Sequence, residues 1–174
     1  ESVSDVLESN LILPIRLMEA CINFGVVAFF NIDTVLPGES GHYAMSKKHF
    51  LEYARKMQEN KMRSFNLRME HMYGPGEDQT KFISGMIGRM LKNEKSISLT
   101  EGRQKRDFAY VEDAVDALVI LLKSHKKFDK KFHEFEIGFG KPVSIKSLCS
   151  LMKKLTGSNS ELVFGALPYR ENEI

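Results

Sequence analysis

Short apolar runs alternate with longer stretches of helical periodicity along the whole 174-residue chain, and this alternation constrains the fold more than any other feature. Val26-Val27-Ala28-Phe29-Phe30 is continuously apolar and short, as expected of a parallel strand buried on both faces, and it ends in the polar Asn31-Ile32-Asp33-Thr34. Before it, Val6, Leu7, Leu11, Leu13, Ile15, Leu17, Met18 and Ile22 recur near helical spacing from about Val3 to Phe24, with Pro14 interrupting. After Leu36-Pro37-Gly38 the pattern predicts a helix over 41–60, a strand over 63–69 and a Tyr73-Gly74-Pro75-Gly76 turn. Beyond the turn it predicts a helix over 80–93, a strand over 96–100 and a basic loop over 102–107. A strand over 108–111 and an amphipathic helix over 112–124 follow. A polar connector over 123–131 leads to a strand over 134–137, a Gly138-Phe139-Gly140 break and a helix over 144–156 closed by Gly157. Helices alternating with short apolar strands predict a right-handed parallel α/β sheet covered on both faces.

Charge and cysteine content narrow the function. Lysine and arginine number 25 against 23 acidic residues, a formal charge of +2, which provides no basic face for nucleic acid and no charged tail. No apolar stretch approaches the roughly 20 residues needed to cross a bilayer, and the first ten residues lack a signal-peptide pattern. No nucleic-acid, membrane or metal partner is expected. The two cysteines, Cys21 and Cys149, lie far apart in apolar helical stripes, so a disulfide scaffold or structural zinc site is excluded and a reduced, cytoplasmic setting is the economical reading. The chain starts without Met inside a helical pattern, as a piece of a longer protein would.

The local signal with chemical content is Tyr43-Ala44-Met45-Ser46-Lys47. Tyrosine and lysine at i and i+4 share one helix face, so an ammonium can lie beside the phenol. A free tyrosine titrates near pH ~10, and a neighbouring cation stabilises its phenolate, which would fit the pair for acid/base work nearer neutrality. Asp33-Thr34 ends the preceding strand, and reacting groups of open parallel sheets gather at the carboxyl ends of strands.

Several ordered segments carry a family resemblance over nearly the whole chain. They are Asn10 with the helix ending Leu17-Met18-Glu19-Ala20-Cys21, Tyr43 to Lys47, Leu67-Arg68-Met69-Glu70-His71-Met72-Tyr73-Gly74-Pro75-Gly76, Arg106-Asp107-Phe108-Ala109-Tyr110-Val111-Glu112-Asp113, Phe135 to Gly140 and Pro168-Tyr169-Arg170. In this order they resemble the later part of an extended short-chain dehydrogenase/reductase, the NAD-dependent epimerase/dehydratase family that acts on nucleotide-activated sugars. Asp-Thr-x-Leu-Pro, Glu-His-Met-Tyr-Gly-Pro-Gly, Gln-Lys-Arg-Asp-Phe and Phe-Gly-Ala-Leu-Pro-Tyr-Arg-Glu-Asn-Glu-Ile are similar to the branch making cytidine-diphosphate dideoxyhexoses for surface polysaccharide (O-antigen), such as the abequose and paratose sugars.

The resemblance implies the C-terminal portion of a doubly wound, Rossmann-type parallel sheet plus a small α/β substrate-binding region. Residues 1–78 would hold the later Rossmann elements with the Tyr/Lys helix, and 112–140 would return to that sheet. Residues 79–111 and 141–174 would form the substrate region. Tyr43 is implied as catalytic acid/base, with Lys47 binding the nicotinamide ribose and lowering the tyrosine pKa. Thr34 is implied as the hydroxyl beside it, with Asp33 as the alternative occupant of that position, holding a substrate hydroxyl or only capping the loop. Asn10 and Glu70 would join Tyr43 and Lys47 around NAD or NADP. His71, Lys81, Phe82, Arg106 and Arg170 would meet the sugar nucleotide, the two arginines as guanidinium forks on the diphosphate. For His71 an ordinary turn histidine, and for Lys81 and Phe82 a helix-start lysine and a core phenylalanine, are the structural alternatives.

Within these residues no Gly-x-x-Gly-x-x-Gly or Gly-x-Gly-x-x-Gly occurs, so the glycine-rich βαβ units that hold a dinucleotide pyrophosphate are expected to lie outside them, and the chain alone to bind dinucleotide weakly or not at all. The implied activity is an NAD(P)-dependent nucleotide-diphosphate-sugar oxidoreductase, a 4-keto-sugar reductase for which NADPH is the favoured reductant. An NAD-dependent 4-epimerase, or a catalytically incomplete piece serving dimerisation or sugar-nucleotide binding, are the alternatives. The implied partners are a nucleotide-diphosphate sugar and a second copy, paired as a four-helix bundle through helices near Ser9–Phe24 and Gly41–Asn60.

Overall fold

A computed structural model describes residues 2–58 and 62–169. The chain divides into two compact units, Glu1–Glu70 with Val115–Ile137 and His71–Ala114 with Gly138–Ile174.

The first unit starts with α1 (Val3–Leu7), a π-helical turn (Glu8–Ile12) and α2 (Leu13–Asn23), followed by β1 (Ala28–Thr34). Pro14 marks an interruption of the regular α-helical pattern, as expected. It stands in the first turn of α2, directly after the π turn, which absorbs the amide that proline cannot donate. A 3-10 turn (Gly38–Ser40) leads into α3 (His42–Gln58), then β2 (Arg63–Met69). Gly41 sits at φ +134°, a backbone geometry only glycine adopts without strain, so the chain can turn into α3 two residues before Tyr43.

β1 differs from expectation at both ends. It begins at Ala28, with Val26 and Val27 exposed, and runs through Asn31-Ile32-Asp33-Thr34, which pair residue for residue in parallel with Asn66–Met69 of β2. The polar residues stay in the strand because Asn31, Asn66 and Asp33 satisfy one another on the face beneath α3. On the apolar part of that face Met18 of α2, Phe50 and Ala54 of α3 and Met62 form a core with Phe29 packed against it. The opposite face is aromatic: Phe30 stacks on Phe65 at 4.6 Å between ring centroids, and Phe128 meets Phe65 edge-on at 5.3 Å.

In the second unit β3 (His71–Tyr73) pairs in parallel with a strand at Phe108–Tyr110. α4 (Phe82–Leu91), β4 (Ser96–Leu99), β5 (Lys105–Arg106), β6 (Phe108–Tyr110) and α5 (Val111–Ser124) follow, the last crossing from one unit's residues to the other's. β7 (Phe132–Ile137) belongs to the first unit and completes a parallel sheet of order β1-β2-β7. β8 (Val143–Ser144), α6 (Ile145–Thr156) and β9 (Glu161–Phe164) finish the second unit, with β4 parallel to β9 and β5 antiparallel to β8. Ser144 caps α6 by accepting the Ser147 N–H, and Gly157 ends it in the left-handed conformation. Four strands escape the periodicity: β3, β5 and β8 are two or three residues long, and β9 follows directly on a polar Ser-Asn-Ser stretch. The core of this unit is apolar, with Ile83, Met86 and Met90 of α4 facing Ile97 and Leu99 of β4 and Ile145, Cys149 and Met152 of α6. No helix among the described residues is long and apolar enough to cross a membrane.

Candidate active site

The Tyr/Lys pair stands near the start of α3, on the stripe Tyr43, Lys47, Phe50, Ala54 that faces the sheet at helical spacing. Phe50 and Ala54 anchor the stripe in the core, while Tyr43 remains 47% exposed. The Lys47 ammonium lies over the Tyr43 ring, 5.4 Å from its centroid, and donates to the Ile32 carbonyl oxygen at 2.7 Å. The pair is therefore fixed to the strand that carries Asp33 and Thr34.

The electrostatics run against the expected lowering of the tyrosine pKa. Partial burial, and after it the negative charge of Asp33, raise the Tyr43 phenol above its ordinary 10.0. Burial lowers the Lys47 ammonium, with Asp33 acting against that and Lys48 adding to it. The cation sits over the ring and is itself partly desolvated, so it does not dominate the phenol.

Of the two readings of Asp33, its contacts match the one that caps the end of β1. Its side chain is fully buried and all of its acceptor capacity faces inward. Oδ1 accepts the Thr34 N–H at 2.7 Å, and Oδ2 accepts the Asn66 amide at 3.0 Å and the Lys48 ammonium at 3.1 Å. Asn66 in turn accepts the Asn31 amide at 2.7 Å. A substrate hydroxyl has no access to this carboxylate. Thr34, 8% exposed, takes the Leu36 N–H on its hydroxyl oxygen at 3.2 Å.

Asn10 lies in the π turn, which packs against α3. Glu70 follows β2 directly, with its N–H bound to the Ile137 carbonyl oxygen of β7 at 2.9 Å. In the second unit, His71 begins β3, its ring 5.7 Å from that of Phe108 and its N–H bonded to the Asp107 carbonyl oxygen at 3.2 Å. Arg106 pairs with Val143 across β5 and β8. Asp107 is buried and its carboxylate accepts the Gly140 N–H at 2.6 Å, which joins the Arg-Asp-Phe segment to the Gly-Phe-Gly break. Lys81 occupies the N-cap of α4 and Phe82 its first position, 41% exposed and so outside the core. Gly74 is required by its neighbours: a Cβ there would fall 2.5 Å from Cγ1 of Val111. Arg170 lies outside the described residues.

Lys48, Asn31 and Asn66 are functional candidates that motif spacing did not reveal. Their signal was present as a lysine doublet and as one asparagine in the middle of each of two strands.

Residues 1–138 match the profile of the NAD dependent epimerase/dehydratase family. The chain belongs to that family. CDP-abequose synthase from Salmonella muenchen is 34% identical over 180 residues, and that from Salmonella typhimurium 31% identical over 182, each alignment covering 99% of this chain and 60% of the relative. Among solved structures, MoeE5 in complex with UDP-glucose and NAD superposes with a TM-score of 0.76 at 27% identity, over 90% of this chain and 57% of that one. The chain thus spans well under two thirds of the length of the family members it matches.

The nicotinamide end of a dinucleotide fits the residues present. Among the described residues the Ile32 carbonyl is the only hydrogen-bond acceptor of the Lys47 ammonium, so two of its three donors remain for ribose hydroxyls at the carboxyl end of β1. No glycine-rich strand-turn-helix lies among the described residues to hold the pyrophosphate end.

Proposed function

We propose that this chain is the later part of a nicotinamide-dependent oxidoreductase that reduces the 4-keto group of a cytidine-diphosphate sugar, with Tyr43 as proton donor. The observation that carries this reading is the identity of 31% and 34% to two CDP-abequose synthases over 99% of the chain. The site chemistry supports it. A phenol whose pKa is raised by burial and by Asp33 stays protonated at neutral pH, as a group must that gives its proton to an oxygen becoming an alkoxide. When bound, the dinucleotide supplies the reducing equivalent. Lys47 would hold its ribose and Thr34 would orient the sugar oxygen beside Tyr43, and Asn10 and Glu70 are proposed to join Lys47 around the dinucleotide. His71, Arg106, Lys81, Phe82 and Arg170 are proposed to meet the nucleotide diphosphate. Two copies are proposed to pair through α2 and α3, whose outward positions include Leu13, Leu17 and Tyr53.

The test is to supply the whole protein with NADPH and a 4-keto-6-deoxyhexose carried on CDP, dTDP or UDP, and to follow loss of NADPH absorbance. Stoichiometric oxidation with the CDP sugar is expected. A change of sugar configuration with no net NADPH loss would replace this reading with a 4-epimerase.

A further inference from the structure

α3 carries a second lysine beside the first, and the two do different things. Lys47 reaches the tyrosine ring, while Lys48 reaches inward, donating to Asp33 Oδ2 at 3.1 Å and to the Thr34 carbonyl oxygen at 2.6 Å. The network is directional. A carboxylate only accepts, so Asp33 forces Asn66 to present its amide NH2, and Asn66 then presents its oxygen to the Asn31 NH2. Asp33 is thereby held in one rotamer by contacts from β1, β2 and α3, none of which belongs to the Tyr-x-x-x-Lys pattern.

We infer that Lys48 and Asp33 are positioning residues for the Tyr43–Lys47 pair: a counter-charge couple of buried carboxylate and half-buried ammonium, aligned by Asn66 and Asn31, that sets the balance of charge at the tyrosine. This rests on the reading of Tyr43 as acid/base. The charged groups around the couple are few. α3 supplies Lys47 and Lys48, β1 supplies Asp33, and Arg68, opposite Asp33 in the β2 register, is paired with Glu136 of β7 at 3.1 Å. Asp33 acts on both members of the pair, holding back ionisation of the phenol and favouring the charged form of Lys47, while Lys48 opposes the charge on Lys47. A carboxylate this deep needs its cation, since burying one partner without the other leaves an uncompensated charge. The couple thus keeps a negative charge near the tyrosine, which favours the protonated phenol, at a strength that Lys48 limits.

The sign of the effect separates this from a merely structural role. Tyrosine labelled with 13C at Cζ reports phenol ionisation by NMR, and with five tyrosines in the chain the Tyr43 resonance is the one missing from Tyr43→Phe. In the whole protein Asp33→Asn, which keeps the shape and removes the charge, should titrate Tyr43 at lower pH than wild type. Lys48→Gln should titrate it at higher pH, and the double variant should fall between them. Lys48→Arg retains the charge and should match wild type, which keeps the test decisive even where Lys48→Gln folds poorly. Shifts of the same sign in the two single variants, no shift in Asp33→Asn, or a Lys48→Arg midpoint unlike wild type would each overturn the inference. The titration needs no turnover: if these shifts occur but Tyr43→Phe reduces substrate normally, the network stands and the acid/base reading of Tyr43 falls.

Discussion

In the second unit α4 and α6 close over β4 with apolar side chains, Met90, Ile97 and Cys149 among them fully buried, and the buried serines Ser158 and Ser160 bond to each other at the edge next to β9. In the first unit, beneath α3, the sheet buries Asn66 and Asp33, with the half-buried Asn31 bonded to Asn66 and a lysine to neutralise Asp33. An apolar core gains from every methylene removed from water, whereas a polar one returns little net stability even when every hydrogen bond is made. A chain keeps such a network where position and charge matter more than cohesion. Here the network lies under the helix that carries the Tyr43–Lys47 pair and includes a buried charge pair, while the second unit, which presents the diphosphate candidates from strand edges and a helix start, packs α4 and α6 on β4 through an apolar cluster.

Substitutions should expose that contrast. The largest loss of stability is expected for Ile97→Ala in the second unit, about 2–5 kcal/mol on thermal or urea unfolding, because a fully buried β-branched side chain leaves a cavity between α4 and α6. Asn66→Ala in the first unit should cost less, about 1–3 kcal/mol, by stranding the Asn31 amide and removing one donor from Asp33. If Asn66→Ala proved as costly as Ile97→Ala, cohesion and not positioning would explain the network. Gly157→Ala should cost about 1 kcal/mol through its left-handed φ of 64°. Arg89→Ala should be nearly silent, at about 0–1 kcal/mol, since its ion pair with Glu94 is exposed on both sides.

Alkali offers a further way to separate the two cores. Burial pushes the Cys149 thiol from 9.0 up to about 11. Below pH 9.0 the thiol is protonated folded or unfolded, so it adds no pH dependence. Between pH 9.0 and about 11 the unfolded chain releases this proton and the folded one retains it, so stability falls across that window and levels off above it. Cys149→Ala should remove that slope from a urea-unfolding series without changing the titration of Tyr43. Cys21, only partly buried, should react with a thiol reagent in the native protein while Cys149 does not.

Much of the fold was legible in the sequence because long elements report their period. α3 and α6 lie where helical spacing and a C-cap glycine put them, and β2 spans the expected 63–69. The Tyr43–Lys47 pair was legible for the same reason, since i and i+4 on a helix fix a shared face. What escaped detection depends on contacts between elements. Asn31-Ile32-Asp33-Thr34 reads as a strand end in isolation, and only pairing with Asn66–Met69 shows that its polar atoms are mutually satisfied. Sequence alone leaves Asp33 between a substrate contact and a loop cap because spacing does not tell which side of a sheet a helix will cover. Lys48 was passed over because the residue beside a motif lysine carries no signal until its length and direction are known. The raised phenol of Tyr43 follows from these same long-range contacts.

The most direct measurement of the central claim is NADPH oxidation by the whole protein at pH 7 with a CDP-linked 4-keto-6-deoxyhexose, wild type against Tyr43→Phe, with folding of the variant checked by circular dichroism. The account predicts a loss of about 10²–10⁴-fold in turnover for the variant, the contribution of a positioned proton donor. A folded Tyr43→Phe protein turning over at the wild-type rate would contradict it.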